Sequence, residues 1–480
     1  MDLTGEPGLL RWFRGTKRVL DWSFFARPGG TFVRPRDSGQ GVTIVDQRTL
    51  YYLQAAGALT AGPDDLVLVS SSALAQQEDL LPLWEREGVL GARALTATYV
   101  VEDLGPLDES LAGDTALALS HALRHGQPVP VTQAGRWLAG RRDELAVEEF
   151  LALLDGRAYT SPLRGLAHGE LERRGVSVAV RHSVTDSFER AALYQSGSLT
   201  PAARRMLPAG YLAWTAEEAV GAARELLRQA VRVYIKADGI GSSAVAVAET
   251  TRDATRRVGE LWRGCQLSTA IGAGQETRAA SRFPAPMEIA PDVTAGQRPL
   301  RHFTVQVLIA GPAGEPRVEL LNASAKEPAI AFGSRPLDRL GQDALRLAAP
   351  QLAEVALAAA PAGCELLSLE GFLLGDGEPE VRLIEANLRL AGMSQLLLAA
   401  RAASGALGPS CSGDYLVGNV AVAPGESNGE VLLRLRAMAD ARGRRVLMLG
   451  RERPDSAKIV VLAGEQPPGP CRELFGAAAR

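Results

Sequence analysis

Lysine is nearly missing from this 480-residue chain. Of its 52 lysines and arginines, only Lys17, Lys236, Lys326 and Lys458 are lysine. With alanine, glycine and arginine abundant, the composition reads as a GC-rich coding bias, under which a surface lysine is readily exchanged for arginine. A lysine that persists stands out for its compact ammonium, which the planar guanidinium does not reproduce. That directs attention to Lys236. Cysteine is also scarce. The four residues Cys265, Cys364, Cys411 and Cys471 form no CxxC pair, and no histidine is placed to complete a metal site with them. They read as buried thiols in a reducing cytoplasm. No apolar run reaches the roughly 18 residues of a membrane span. The first residues, MDLTGEPGLLRWFRG, lack the apolar core and small-residue cleavage site of a secretory signal. A net charge of −3 gives no electrostatic footprint for nucleic acid. A soluble cytoplasmic protein with no membrane or nucleic-acid partner is expected.

What is present is alternation. Up to about residue 190, buried-looking strands such as Val42 to Val45 and Leu66 to Ser70 alternate with helical stretches. This predicts an open, mostly parallel α/β sheet. His121 and His125 lie one helical turn apart, but no third ligand stands near them. From about residue 191 the pattern changes. Thr215-Ala-Glu-Glu218 is a capping box, and Val220, Ala223, Leu227 and Ala230 follow at helical spacing. VRVYIK then alternates, with Val231, Val233 and Ile235 on one face and Arg232, Tyr234 and Lys236 on the other. The loop ADGIGSS, a second strand AVAVAE and a helix from Arg252 to Trp262 complete the run. HFTVQVLIAGPAGEPRVELLNAS reads as a hairpin, and one long helix is expected over roughly Leu337 to Ala360. A second hairpin follows, LLSLEGFLL with VRLIEAN.

Two segments carry chemistry. Lys236 ends a strand on its polar face, followed by Gly239, Gly241, Ser242 and Ser243. The glycines let the backbone approach a ligand and aim N–H groups at it, while the serines add hydroxyls. A cation with a nest of donors suits a polyphosphate. Gly239, Gly241 and Ala244 also spell the dinucleotide fingerprint, whose mechanism requires a helix N-terminus directly after the loop. A plain hairpin turn is the third reading. In L-I-E-A-N-L-R, alternation places Glu385, Asn387 and Arg389 on one strand face. Glutamate and asparagine oxygens suit magnesium, and an arginine can hold a carboxylate or phosphoryl group bidentately. Glu370, in the partner strand, stands within reach of the same cluster.

Both segments, in this order, resemble the ATP-grasp superfamily. There a small lid lobe supplies a lysine and a Gly/Ser loop, and a large lobe ends in a strand reading roughly E-x-N-x-R. The run E-A-N-L-R-L-A-G looks most like that of peptide ligases of the pheganomycin type, which carry a pre-ATP-grasp domain. The resemblance implies a fold of an N-terminal open α/β domain over 1–190 and a two-lobed (α+β) ATP-grasp core over 191–405. The lid lobe would span about 205–287 and the large lobe about 288–405, leaving 406–480 without a role. It implies ATP and Mg2+ as cofactors, with Lys236, Gly239, Gly241, Ser242 and Ser243 on the phosphates. Glu288 would lie at the adenosine hinge, and Glu385, Asn387 and Glu370 would hold the metal. Arg389, with Lys236, would act on the reacting groups. The activity implied is ADP-forming ligation of a carboxylate to an amine, on amino acid or peptide substrates, with a homodimer as one expected assembly. The family's early lysine is missing from T-P-A-A-R-R, where Arg204 or Arg205 stands instead, and L-A-G-M-S-Q departs from the family after the motif. Rival classes are a nucleotide-binding homologue without turnover and a dinucleotide-binding oxidoreductase.

Overall fold

A computed structural model of the chain describes residues 18–21, 32–35, 42–45, 58–61, 64–76, 79–86, 94–102, 115–160, 167–177, 193, 196–237, 245–273, 286–294, 296–310, 315–327, 333–360, 366–375, 379–387, 415–440, 445–453 and 455–462. The architecture is mixed α/β, with three principal sheets.

The first part of the chain contributes β1 (Arg18–Asp21), β2 (Phe32–Pro35), β3 (Val42–Val45), β4 (Leu66–Ser70), β5 (Thr98–Val101), β6 (Val131–Gln133) and β7 (Ala158–Thr160). Five of these form a sheet in the order β6-β5-β4-β1-β7, parallel except where β5 meets β6. Every residue of β4 is buried, as its unbroken apolar run requires of a strand covered on both faces. Leu119, Leu123, Phe150, Leu154 and Leu171, from helices Thr115–His125, Val147–Leu154 and Ala167–Arg173, cover the sheet. The run Val42 to Val45 does not join it. β3 pairs antiparallel with β2 in a ribbon of its own, since a neighbour close in sequence is reached without the crossover that a parallel strand needs.

The second sheet is antiparallel and built from β8 (Tyr211–Ala213), β9 (Val233–Lys236), β10 (Val245–Ala248) and β11 (Met287–Pro291), in the order β10-β9-β11-β8. Helix Ala216–Leu226 starts at the expected capping box. The Thr215 hydroxyl accepts from Glu218 N at 3.2 Å, and the Glu218 carboxylate accepts from Thr215 N at 3.3 Å. That helix and the helix Thr251–Ala273 pack on Val233, Ile235, Ala248, Met287 and Ile289. Strand β9 begins two residues later than alternation alone suggested. The helix winds on through backbone bonds from Gln229 and Ala230 to Leu226, so Val231 falls in the bend and is 76% exposed.

The third sheet has eight strands and is antiparallel throughout. It contains the two expected hairpins, β12 (Arg301–Ala310) with β13 (Arg317–Glu327), then β14 (Gly333–Pro336), and β15 (Leu366–Leu374) with β16 (Glu380–Asn387). Strands β17 (Tyr415–Ala421), β18 (Arg445–Arg453) and β19 (Ser456–Leu462) extend it in the order β16-β15-β12-β13-β14-β17-β19-β18. The C-terminal segment is therefore part of this sheet. It is tied back to the start of the chain by Trp84, whose indole N–H donates to Met448 O at 2.8 Å. One face of β12, β15 and β16 is apolar and carries Phe303, Val305, Val307, Leu367, Leu369, Leu373 and Leu383 against Leu345, Leu352 and Val355 of the covering helices. Burial of each such side chain contributes about 1.5–3 kcal/mol. The single helix expected over 337–360 is two, Arg339–Leu347 and Ala349–Ala359. Pro350 has no N–H for the carbonyl four residues back, so it stands in the first turn of a new helix.

Candidate active site

The opposite face of the large sheet is polar, because the same alternation that sends Phe303, Val305 and Val307 to the core sends His302, Thr304 and Gln306 the other way. Cross-strand register lines up three strands on this face. Thr304 stands opposite Glu370 and Glu370 opposite Glu385, while Gln306 stands opposite Ser368 and Ser368 opposite Asn387. The floor is nearly dry. Gln306 and Ser368 are wholly buried and bond each other, the amide donating to Ser368 Oγ at 2.8 Å. Asn387 is 3% exposed, and its Oδ1 has no hydrogen-bond partner among the described residues. An unmet buried carbonyl oxygen costs about 1–3 kcal/mol, which a ligand would recover.

Lys236 meets this face from the smaller sheet. Its Nζ donates to Ile384 O of β16 at 2.7 Å and lies 3.4 Å from Oε1 of Glu288. Glu288 is wholly buried and directly opposite Lys236 in the β9–β11 register. Two sequence segments 148 residues apart, on two different sheets, thus touch at the residue preceding Glu385. At the other end of β9, Arg232 clamps Asp292, Nε to Oδ2 at 2.6 Å, and so fixes β11 against β9.

The Glu370 carboxylate accepts from two donors at one oxygen, His302 Nε2 at 2.6 Å and Lys326 Nζ. Burial pushes its pKa up, but the His302 hydrogen bond and the Lys326 charge outweigh that and hold it well below the usual carboxylate range. Because the folded-state pKa is depressed to about 2, this ion pair stabilises the fold fully above the ordinary value of 4.5, and its contribution is lost progressively as pH falls from there through about 2. Glu370→Gln is expected to lower the melting temperature at neutral pH. The gap to the parent should shrink as pH drops through about 4 toward 3. A gap that stays constant from neutral to acid in melts of both proteins would contradict this.

Side-by-side carboxylates on neighbouring strands repel, and here the Lys326 ammonium stands on Glu370 to offset that. Register places Glu370, Glu385 and Asn387 on one face of neighbouring strands, and oxygens of these types are the kind that magnesium takes. Among the described residues no three His, Cys, Asp or Glu side chains gather as a metal cluster. A cation here would complete its shell with oxygens of its ligand, as magnesium does with phosphates.

The register itself depends on one glycine. A β-bulge lies between Glu370 and Gly371, where Gly371 pairs with Leu383 and Ile384 is left over. This corrects simple alternation, under which Ile384 would share the apolar face with Ala386. A Cβ at Gly371 would lie 2.2 Å from the backbone oxygen of Arg382. Gly371→Ala is expected to cost about 1–3 kcal/mol or more, read as a lower melting temperature, because backbone cannot rotate away as a side chain can.

Gly239, Gly241, Ser242, Ser243 and Arg389 lie outside the described residues, as do Cys364, Cys411 and Cys471. The strand β10 begins at Val245 and pairs with Lys236, so the helix that a dinucleotide fingerprint requires after Gly241 is replaced by a strand. Arg204 and Arg205 are exposed on helix Pro201–Arg205, whose end abuts β16, with Leu383 N donating to Met206 O at 2.7 Å. His121 and His125 are exposed, their rings 4.5 Å apart. Sequence reasoning missed Lys326 and His302. The signals were there, a rare lysine and the polar phase of an alternating strand, but nothing local says that β13 and β12 carry them to Glu370.

No helix among the described residues is long and apolar enough to cross a membrane. No known family profile matches the chain, and no curated protein does. Solved structures match the chain at low identity. An N5-carboxyaminoimidazole synthase from Aspergillus clavatus in complex with ADP and 5-aminoimidazole ribonucleotide is 13% identical, with a TM-score of 0.45, over 93% of this chain and 94% of that one. A biotin carboxylase–β,γ-ATP complex from Campylobacter jejuni is 15% identical, with a TM-score of 0.43, over 94% and 88%. The D-alanine–D-alanine ligase from Coxiella burnetii is 12% identical, with a TM-score of 0.35, over 65% and 86%.

Proposed function

We propose that this chain is an ATP-grasp ligase that joins a carboxylate to an amine through an acyl-phosphate, releasing ADP and phosphate. Amino acids or peptides are the proposed substrates, as in the peptide ligases of natural-product biosynthesis that its motif resembles. Residues 1–190 would be the pre-ATP-grasp domain, 191–405 the catalytic core and 406–480 a C-terminal segment or small domain, from which β17, β18 and β19 extend the large sheet. The observation that carries the reading is the meeting of Lys236 with β16 at Ile384 O, beside two carboxylates and the unmet oxygen of Asn387. A strand-ending ammonium and a hard-oxygen face, on separate sheets, are what a triphosphate with its cation needs on its two sides.

A free carboxylate is a poor electrophile. Attack of its oxygen on the γ-phosphorus expels ADP and gives a mixed anhydride. The amine nitrogen then attacks the carbonyl carbon, phosphate leaves, and the ammonium formed loses a proton. Such transfer needs positioning and charge neutralisation rather than a protein nucleophile. Lys236 would neutralise phosphate charge from the lid side, with the Gly239, Gly241, Ser242 and Ser243 backbone and hydroxyls around it. Glu288 would hold that ammonium in place from behind. Glu385 and Asn387, with Glu370, would hold magnesium, which when bound neutralises phosphate charge. Arg389 would steady the acyl and phosphoryl groups. The anhydride hydrolyses readily, so the site must exclude water while it exists, and a glycine-rich lid loop suits that need.

The test is ADP formation from ATP and magnesium against a panel of amino acids and short peptides, offered singly and in pairs, with product mass as second readout. A ligase gives ADP only with an acyl donor, and an amide mass when an amine is added. Nucleotide binding without ADP formation in any combination would favour the homologue without turnover.

A further inference from the structure

Each buried carboxylate named at the cleft already holds an ammonium. Glu288 has Lys236, and Glu370 has Lys326 together with His302. The two pairs differ in freedom. Side-chain exposure is 13% for Lys236 but 40% for Lys326, against 12% for the Glu370 it binds. Lys326 is a rim ammonium on a flexible four-carbon stem, closing over an inward-lying carboxylate. Beside that carboxylate stands Glu385, and two residues along the same strand lies the buried Oδ1 of Asn387, which has no hydrogen-bond partner among the described residues. A bare divalent cation approaching these oxygens meets a positive charge on Glu370, which must leave without any new counter-ion. A cation arriving with a polyphosphate brings the counter-charge with it.

We propose that Lys326, with His302 beside it, closes the Glu370 carboxylate to free divalent cations, so that metal enters only with a polyphosphate, which takes the Lys326 ammonium in exchange. This rests on reading the cleft as a nucleotide site. The device keeps the site from filling with metal alone, and it delivers a second ammonium to the phosphates at the moment of loading. Lys326 thus acts as a gate on the metal before it acts on the nucleotide.

Manganese is the probe, followed by the paramagnetic signal of the free ion as whole protein is titrated, with and without ADP. The parent chain is expected to hold manganese at least about tenfold more tightly with ADP than without it. Lys326→Met should bind manganese alone roughly tenfold more tightly than the parent does, because the competing charge is gone. Lys326→Arg keeps that charge and should behave as the parent. Should the methionine variant not fold, as judged by its melt, Lys326→Gln keeps a donor to Glu370 without the charge and should act the same way. Glu385→Gln should abolish the ADP-dependent gain, placing the ion at this face. Equal affinity with and without ADP in the parent, or no gain in the uncharged variants, overturns the gate and leaves the nucleotide site standing. No manganese binding in any arm overturns both.

Discussion

Lys236→Ala is expected to lower substrate-dependent ADP release on the order of a hundredfold or more, the usual effect of removing one group that faces developing charge in a closed site. The side chain is 13% exposed, so the ammonium acts where water screens it poorly. Alanine keeps the backbone of β9, whose core contacts come from Val233 and Ile235 on the other face. It does remove an ammonium partner of Glu288, a wholly buried carboxylate. Breaking a buried pair from one side costs about 3–5 kcal/mol in well-formed cases. At 3.4 Å this pair is long, and the cost should fall below that range. A loss of activity could therefore be confused with a loss of fold. The double variant Lys236→Met with Glu288→Gln resolves it, since it leaves no buried charge unmatched. Its melting temperature should return most of the way to the parent while ADP release stays low. Recovery of activity together with stability would mean that Lys236 serves the fold alone.

The alternation of the sequence was enough to find both hairpins of the large sheet, the capping box at Thr215 and the strand that ends in Lys236. These are local signals, set by side-chain period and by hydrogen bonds three residues apart. What alternation could not supply is register between strands distant in sequence. Glu370 faces Glu385 only because Gly371 admits a bulge. A bulge shifts phase by one residue without changing the hydrophobic count. Lys326 and His302 reach Glu370 only because β12 lies between β13 and β15, an order that the chain does not announce. The single helix expected over 337–360 is broken at Pro350, which belongs in the first turn of a helix and not in its interior. Val231 falls outside its expected strand because the preceding helix claims one more turn. The C-terminal strands join the large sheet through backbone pairing between segments distant in sequence and through contacts such as Trp84 with Met448, which no local motif announces.

Glu385→Gln is the second large effect, and its signature is two-sided. The substitution keeps the shape of the side chain and one oxygen but removes a charge. Glu385 stands directly opposite Glu370, and like charges so placed are destabilising, an effect that Lys326 on Glu370 reduces. The glutamine variant should therefore melt at the parent's temperature or slightly above it at neutral pH in the absence of nucleotide. ADP release should nevertheless fall about a hundredfold or more if, as proposed, Glu385 supplies a charged oxygen to the cation, since glutamine offers only a neutral one. The residual rate should rise with magnesium concentration well past the point where the parent saturates, since the lost charge weakens the hold on the cation rather than the geometry. A residue that merely completes a sheet edge would show the opposite pattern, with stability falling and the magnesium dependence unmoved. Full activity with parental magnesium dependence in the glutamine variant would remove β16 from the chemistry.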